Sequence, residues 1–316
     1  MLKVSLQLAL VAVFVLMIVY FLDTYSADIS SLRLLSFLDI LLIGVWSFVS
    51  YAAYAYAVYV MLISSGLKDV GPFDWLRIYF VSRLANFFVV QGGNLFRLVL
   101  LKRKHDISYT NSLGITVFLI WINTLIALVA SFCLLLGYEV NPEILGLKLS
   151  SWTLFVSLVL FAGPLLAVRL IQRYRAAPFW KMRVSQPVAR VSDFFLDVVK
   201  DASLMSKVML LSAVHFVFFA GVNYFSFHAI GQPIGIAAIC FFTTAFVFTR
   251  YVNVVPGNLG LSELVGGLVS EYLGIGFGNG LVVSGVVRIV EVLMILLLGL
   301  FYGKFVTFNY FRDRFS

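Results

Sequence analysis

Charged side chains are scarce in this chain. Asp, Glu, Lys and Arg make up 12% of its 316 residues, against roughly 25% in a soluble globular domain. So little charge excludes a protein whose surface mostly faces water. Cysteine is nearly absent. Cys133 and Cys240 are the only two, and both sit inside apolar runs, which excludes a disulfide framework or a cysteine-based metal site. The three histidines, His105, His215 and His228, are scattered, so no metal cluster is expected either. No Ser-His-Asp order, CxxC, HExxH or Walker sequence occurs. The run Gly274-x-Gly276-x-Gly278-x-Gly280 follows no strand and reads as a flexible loop, not a dinucleotide fingerprint. The sequence thus points away from an enzyme and implies no cofactor.

What the chain has is apolar length. Hydrophobic residues are 62% of the total, with 31 Phe. Six runs can each cross a bilayer, at 4–22, 36–64, 112–136, 151–171, 208–229 and 280–306. The run 4–22 is too long for a signal peptide, and Tyr25 stands where a cleavage site needs a small residue. It reads as an uncleaved first span. The net charge of +8 gathers in short loops, the pattern of cytoplasmic loops in an inner or plasma membrane protein, and it does not imply nucleic acid. Eight Lys and Arg fall between Arg169 and Lys207, three more at Lys102–Lys104, and the tail holds Lys304, Arg312 and Arg314. These segments are expected inside, with both termini, and the basic-poor segments 23–35 and 137–150 outside. From about 187 to 204, Val188, Val191, Phe194, Phe195 and Val198 recur at helical spacing opposite Arg190, Asp193, Asp197, Lys200 and Asp201. This predicts an amphipathic helix on the cytoplasmic interface, the other reading being a short cytosolic helix packed on its neighbours.

Two apolar regions are irregular, about 79–101 and 235–274. The first reads Ser82-Arg83-x-x-Asn86 and then Gly93-Asn94-Leu95. The second reads Thr249-Arg250-x-x-Asn253 and then Gly257-Asn258-Leu259. Each lies at the same place in a span, span, irregular region, span order. The expected fold is therefore an all-α polytopic membrane protein. It forms one transmembrane domain over 1–316, with about six full spans and two re-entrant broken-helix hairpins. Its half-repeats, approximately 1–140 and 148–310, are inverted because each crosses the membrane an odd number of times. Interrupted segments at matching places in inverted halves mark transporter binding sites, since irregular backbone is tolerated in a membrane only where it lines a cavity or is buried in protein.

The candidate site follows from those breaks. Arg83, Arg97, Arg250 and Arg288 lie in or beside apolar runs, where an arginine needs a partner or a wet cavity. Glu291 is three residues after Arg288, close enough to pair along one helix face. Glu263 follows the break at Pro256, Gly257, Asn258 and Gly260, and its expected role is to pair with Arg250, with proton coupling as the other option. Two arginines would then be uncompensated, and the cavity would prefer an anion such as a phosphate. The competing reading has Arg83 and Arg97 snorkelling to the cytoplasmic interface.

The Gln91-Gly92-Gly93-x-x-x-Arg97 stretch, Pro256-Gly257-x-x-Gly260-x-x-Glu263, and Arg288 in the last span resemble the three motifs of the lysylphosphatidylglycerol synthase transmembrane region. The similarity spans roughly residues 5 to 310. It implies a flippase-like membrane domain, with Gly92, Gly93, Arg97, Pro256, Gly257, Gly260, Glu263 and Arg288 as functional positions. Stand-alone relatives are linked to envelope polysaccharide or polyprenyl-linked sugar pathways. The chain departs from the family where Ile120-Trp121-Ile122-Asn123 replaces an acidic–basic pair, and where the first motif has Val90-Gln91 and Asn94-Leu95. It ends about ten residues after its last span, so the soluble aminoacyl-transfer domain is not expected.

The leading expectation is a transporter for an anionic phospholipid or a polyprenyl-phosphate-linked glycolipid. It works by alternating access, and Arg83, Asn86, Arg97, Arg250, Asn253, Glu263, Arg288, Glu291 and the two Gly-rich breaks form its site. Arg250, Arg288 and the two broken helices are expected to bind the phosphate, and Glu263 to balance charge. The alternative is a membrane scaffold for a cell-envelope glycosyltransferase or lipid synthase. The topology has a direct test. With both native cysteines replaced by serine, a Glu143→Cys variant should react with an impermeant maleimide from outside and a Tyr310→Cys variant should not. Labelling of both from outside overturns it.

Overall fold

The structure, a computed structural model, describes residues 30–88, 91–136, 143–144, 147–174, 186–251 and 260–315. The expected first span 4–22 lies outside the described residues, as do Asn253, Pro256, Gly257 and Asn258. The described chain is helical apart from one two-residue antiparallel pair, Glu143–Ile144 with Leu147–Lys148. Ten α-helices follow in order. They are α1 (Phe37–Ser64), α2 (Pro72–Phe88), α3 (Gly92–His105), α4 (Tyr109–Leu136) and α5 (Leu149–Tyr174), then α6 (Gln186–Lys200), α7 (Ala202–Ala229), α8 (Ile236–Thr249), α9 (Leu261–Tyr272) and α10 (Phe277–Phe315).

Among the described residues five helices are long and apolar enough to cross a bilayer: α1, α4, α5, α7 and α10. Their outward faces remain apolar. Phe155, Leu158, Leu210, Leu297 and Leu300 are all more than half exposed, which suits hydrocarbon and not water. Helix starts carry ordinary caps. Ser36 and Asp39 exchange side-chain and backbone hydrogen bonds at α1, and Asp201 accepts the N–H groups of Ser203 and Leu204 at α7.

Each irregular region holds two short helices packed on each other, α2 with α3 in a first hairpin and α8 with α9 in a second. Their limbs run 17, 14, 14 and 12 residues, each short of the ~20 residues of a span. The packing is reciprocal. α1 and α7 form the central pair, α2 leans on α10, and α8 leans on α4. Each hairpin's first limb thus rests on the long helix that follows the other hairpin. The second limbs differ. α9 lies closely against α10, where an added Cβ on Gly280 would meet the Gly266 carbonyl oxygen at 2.3 Å. α3 touches α4 only sparsely.

The apolar face of α6 packs on protein. Ala189, Ser192, Phe195 and Val198 are buried, and Phe195 packs edge-on against Phe118 and beside Trp121 of α4, with ring centroids 5.1 and 4.8 Å apart. The sequence period reveals an apolar stripe but not what covers it. The helix also stops at Lys200, because Asp201 caps α7.

Pro164 sits inside α5. Having no N–H, it leaves the carbonyl of Leu160 without its helical donor, and hydrocarbon offers no replacement. The indole N–H of Trp121 donates to that carbonyl at 2.6 Å. A Trp121→Phe change keeps the ring but strands the carbonyl. It should cost about 1–3 kcal/mol, read as a lower thermal midpoint in detergent. Adding Pro164→Ala, which restores a helical N–H, should recover most of the loss. Equal midpoints for Trp121→Phe and wild type would remove this role.

Candidate functional site

A cavity of about 430 Å³ lies among α1, α2, α3, α4, α7, α8, α9 and α10. Arg83, Arg97, Arg250 and Arg288 all line it, with Asn86 and Glu291. Arg83 and Arg97 thus both reach the cavity.

Each limb delivers its arginine next to a backbone anchor. On α2, buried Ser82 donates to the Tyr79 carbonyl at 2.6 Å, and Arg83 follows it. On α8, buried Thr249 donates to the Phe246 carbonyl at 2.8 Å, and Arg250 follows it. The two equivalent arginines converge on one ring. Their guanidinium carbons stand 5.0 and 5.4 Å from the centroid of Tyr51. Arg83 also donates to the Tyr51 hydroxyl at 3.2 Å, and Arg250 lies 3.8 Å from the Phe219 centroid. Faces of aromatic rings attract cations through their quadrupole, so Tyr51 holds both arginines without cancelling either charge.

The carboxylates pair differently from the sequence expectation. Glu291 takes Arg250, Oε1 to Nη2 at 2.5 Å, and Glu263 takes Arg288, Oε1 to Nε at 3.1 Å. The expected Arg250–Glu263 and Arg288–Glu291 pairs do not form. The reason lies in Glu263, whose other oxygen accepts the Gly260 N–H at 2.8 Å and caps α9. Anchored there, it faces α10 at Arg288, which also reaches the Ser262 hydroxyl at 3.0 Å. Gly260, with φ of 85°, makes the turn that a side chain would strain.

The first break is closed another way. Gln91 adopts a left-handed conformation, and the Gly93 N–H donates to Asn86 Oδ1 at 2.7 Å. A Cβ at Gly93 would lie 1.7 Å from the Ser82 carbonyl oxygen, so only glycine fits the crossing. Gly92 begins the helix beside it. At the two helix starts the Gly93 N–H is held by Asn86 and the Gly260 N–H by Glu263. Along α3, Asn94 donates to Gln91 and accepts from Arg97, while Arg97 lies over Tyr79 at 5.2 Å.

The sum is four guanidiniums against two carboxylates. Among the described residues neither Arg83 nor Arg97 has an ion-pair partner. Two positive charges remain in the cavity, where partial burial makes them act more strongly than at a surface. Sequence reasoning missed Tyr51, Tyr54, Tyr79 and His215, which also line the cavity. The available signal was the Tyr51-x-x-Tyr54 spacing, which puts two hydroxyls on one face of an otherwise apolar span.

The Arg250–Glu291 pair, with Glu291 only 8% exposed, has a stability signature. Removing one partner of a buried pair costs about 3–5 kcal/mol, whereas replacing both by apolar groups is often neutral. Glu291→Leu should lower the thermal midpoint sharply, and Arg250→Leu with Glu291→Leu should recover most of it. A double variant no more stable than the single one would argue against the pairing.

No curated protein and no solved structure matches the chain. Its sequence does match the lysylphosphatidylglycerol synthase transmembrane region over residues 4–299. The cavity, the paired breaks and that match over nearly the whole length agree, and the chain belongs to the family of lysylphosphatidylglycerol synthase transmembrane regions.

Proposed function

We propose that this protein moves an anionic phospholipid or a polyprenyl-phosphate-linked glycolipid between the leaflets of the inner or plasma membrane. The movement is alternating access between two inverted halves, approximately 1–140 and 148–310, with both termini in the cytoplasm. One observation carries the reading: an excess of two positive charges, on Arg83 and Arg97, faces a cavity inside a bundle of apolar helices. A phosphate is the complementary ligand, because guanidiniums donate to its oxygens in charge-assisted hydrogen bonds. The membership in a family tied to lipid synthesis or flipping supports the lipid as its carrier.

The reading divides the four arginines. Arg83 and Arg97 hold the phosphate. Arg250 and Arg288 are balanced by Glu291 and Glu263 and fix the second hairpin on α10. Asn86 keeps the first break closed behind the ligand.

The test is movement of fluorescent phosphatidylglycerol in proteoliposomes. Each lost charge-assisted bond is worth about 1.5–3 kcal/mol, so Arg83→Ala and Arg97→Ala should each slow movement about tenfold or more. Both variants should still insert and fold. Arg250→Ala and Glu263→Ala should also abolish movement, with a fall in thermal midpoint that Arg97→Ala lacks. Wild-type protein that moves neither phosphatidylglycerol nor a polyprenyl-phosphate probe would overturn the proposal in favour of a scaffold for an envelope enzyme.

A further inference from the structure

We infer that the cavity is entered from the side, through a slot between α3 and α4, and that the slot holds the hydrocarbon chain of the lipid whose phosphate faces Arg83 and Arg97. The inference rests on the translocator reading and adds the route and the position of the chain.

The first observation is the unequal packing of the two hairpins. α9 meets α10 almost backbone to backbone at Gly266 and Gly280. The corresponding contact in the other half, α3 with α4, is sparse. Residues from both sides of this seam line the cavity: Leu95 and Leu98 from α3, and Leu113, Thr116 and Ile120 from α4. Leu95 is 56% exposed and Leu113 is 48% exposed. Both thus expose apolar surface at the seam, and we take the cavity to open there.

The chemistry of the walls selects the occupant. Leu113, Thr116 and Ile120 share one face of α4 by their spacing. The Thr116 hydroxyl is spent on the Ser112 carbonyl at 3.0 Å, so the wall makes no polar demand there. The surface outside belongs to a bundle whose long helices are fit to cross a bilayer, and apolar walls open to hydrocarbon take up hydrocarbon, not water.

The polar groups stand where a lipid would need them. Asn94 and Arg97 lie on α3 beside Leu95 and Leu98. Ser112 also lines the cavity, at the entry to α4. At the turn from α3 to α4, Lys102, Arg103 and Lys104 form a basic cluster that gathers anionic headgroups at the mouth. A free phosphate has the charge to fill the arginine site but no use for the slot.

The test compares two probes on the detergent-purified full chain: long-chain fluorescent phosphatidylglycerol and soluble glycerol 3-phosphate. Leu95→Trp and Leu113→Trp narrow the slot and leave the arginines in place. Each should weaken lipid binding about tenfold, from lost hydrocarbon burial, and leave glycerol 3-phosphate binding unchanged. Arg97→Ala should weaken both. Lipid binding that survives both tryptophans overturns the slot while the charged site stands. Glycerol 3-phosphate bound as tightly as the lipid by wild type also overturns it and makes free phosphate the ligand. Wild type that binds neither probe overturns the translocator reading and the slot together. Should the tryptophan variants fail to fold, photoreactive phosphatidylglycerol with a diazirine in its chain decides on the wild type. Adducts on residues 95–101 and 113–120 support the slot, and adducts confined to other helices overturn it.

Discussion

A guanidinium cannot be left bare inside a membrane, and four of them set the terms for this structure. Each must meet a carboxylate, an aromatic face or a wet cavity. Arg250 and Arg288 meet carboxylates, and because Glu291 and Arg288 both lie on α10, the two pairs tie both limbs of the second hairpin to that one helix. Arg83 and Arg97 meet tyrosines instead. The first hairpin is consequently held by backbone proximity at Gly93 and by ring contacts, not by ion pairs. The charge that is free to act and the hairpin that is less tightly packed against the long helix that follows it are the same part of the molecule.

The second constraint is the backbone itself. Any interruption of a helix at membrane depth leaves polar groups that lipid cannot satisfy, and here side chains repair each described interruption. Trp121 serves the carbonyl that Pro164 orphans in α5. Asn86 takes the Gly93 N–H, and Glu263 takes that of Gly260. Two residues that look like ligand-binding groups in the sequence thus act first as caps. Glu263 does both jobs at once, one oxygen on its helix start and the other on Arg288, which is why it cannot also reach Arg250.

The all-helical membrane class and the short helices of both irregular regions were legible because apolar length and its interruptions are one-dimensional signals. The arginines and glutamates were legible for the same reason, since charge is rare enough in such runs to stand out. Their pairing was not. Arg288 and Glu291 are three residues apart and look like local partners, but proximity along a helix is outweighed by a tertiary contact in a low-dielectric site. Tyr51 and Tyr79 passed unnoticed because a tyrosine in a span resembles an interfacial anchor until its neighbours are known. The amphipathic stripe of α6 was correctly located, yet a stripe says only that something apolar covers it, and here the cover is α4 with its neighbours and not lipid.

The two halves use one plan for opposite ends. Ser82-Arg83 and Thr249-Arg250 present their arginines through the same hydroxyl-to-carbonyl bond and to the same tyrosine. What differs is the company on the long helix each hairpin faces. α10 brings Glu291, Arg288 and close-packing glycines to the second hairpin, while the matching region of α4 brings Trp121, Asn123 and no carboxylate. Asn123 is buried and bonds back to the Leu119 carbonyl at 2.7 Å, so it cancels no charge. Carboxylates on α4 matching those of α10 would neutralise the arginines of the first hairpin and could tie it to α4 as the second is tied to α10. Without them the excess positive charge lies beside the sparse contact between α3 and α4. Charge excess and loose packing therefore share one cause, the lack of carboxylates on α4.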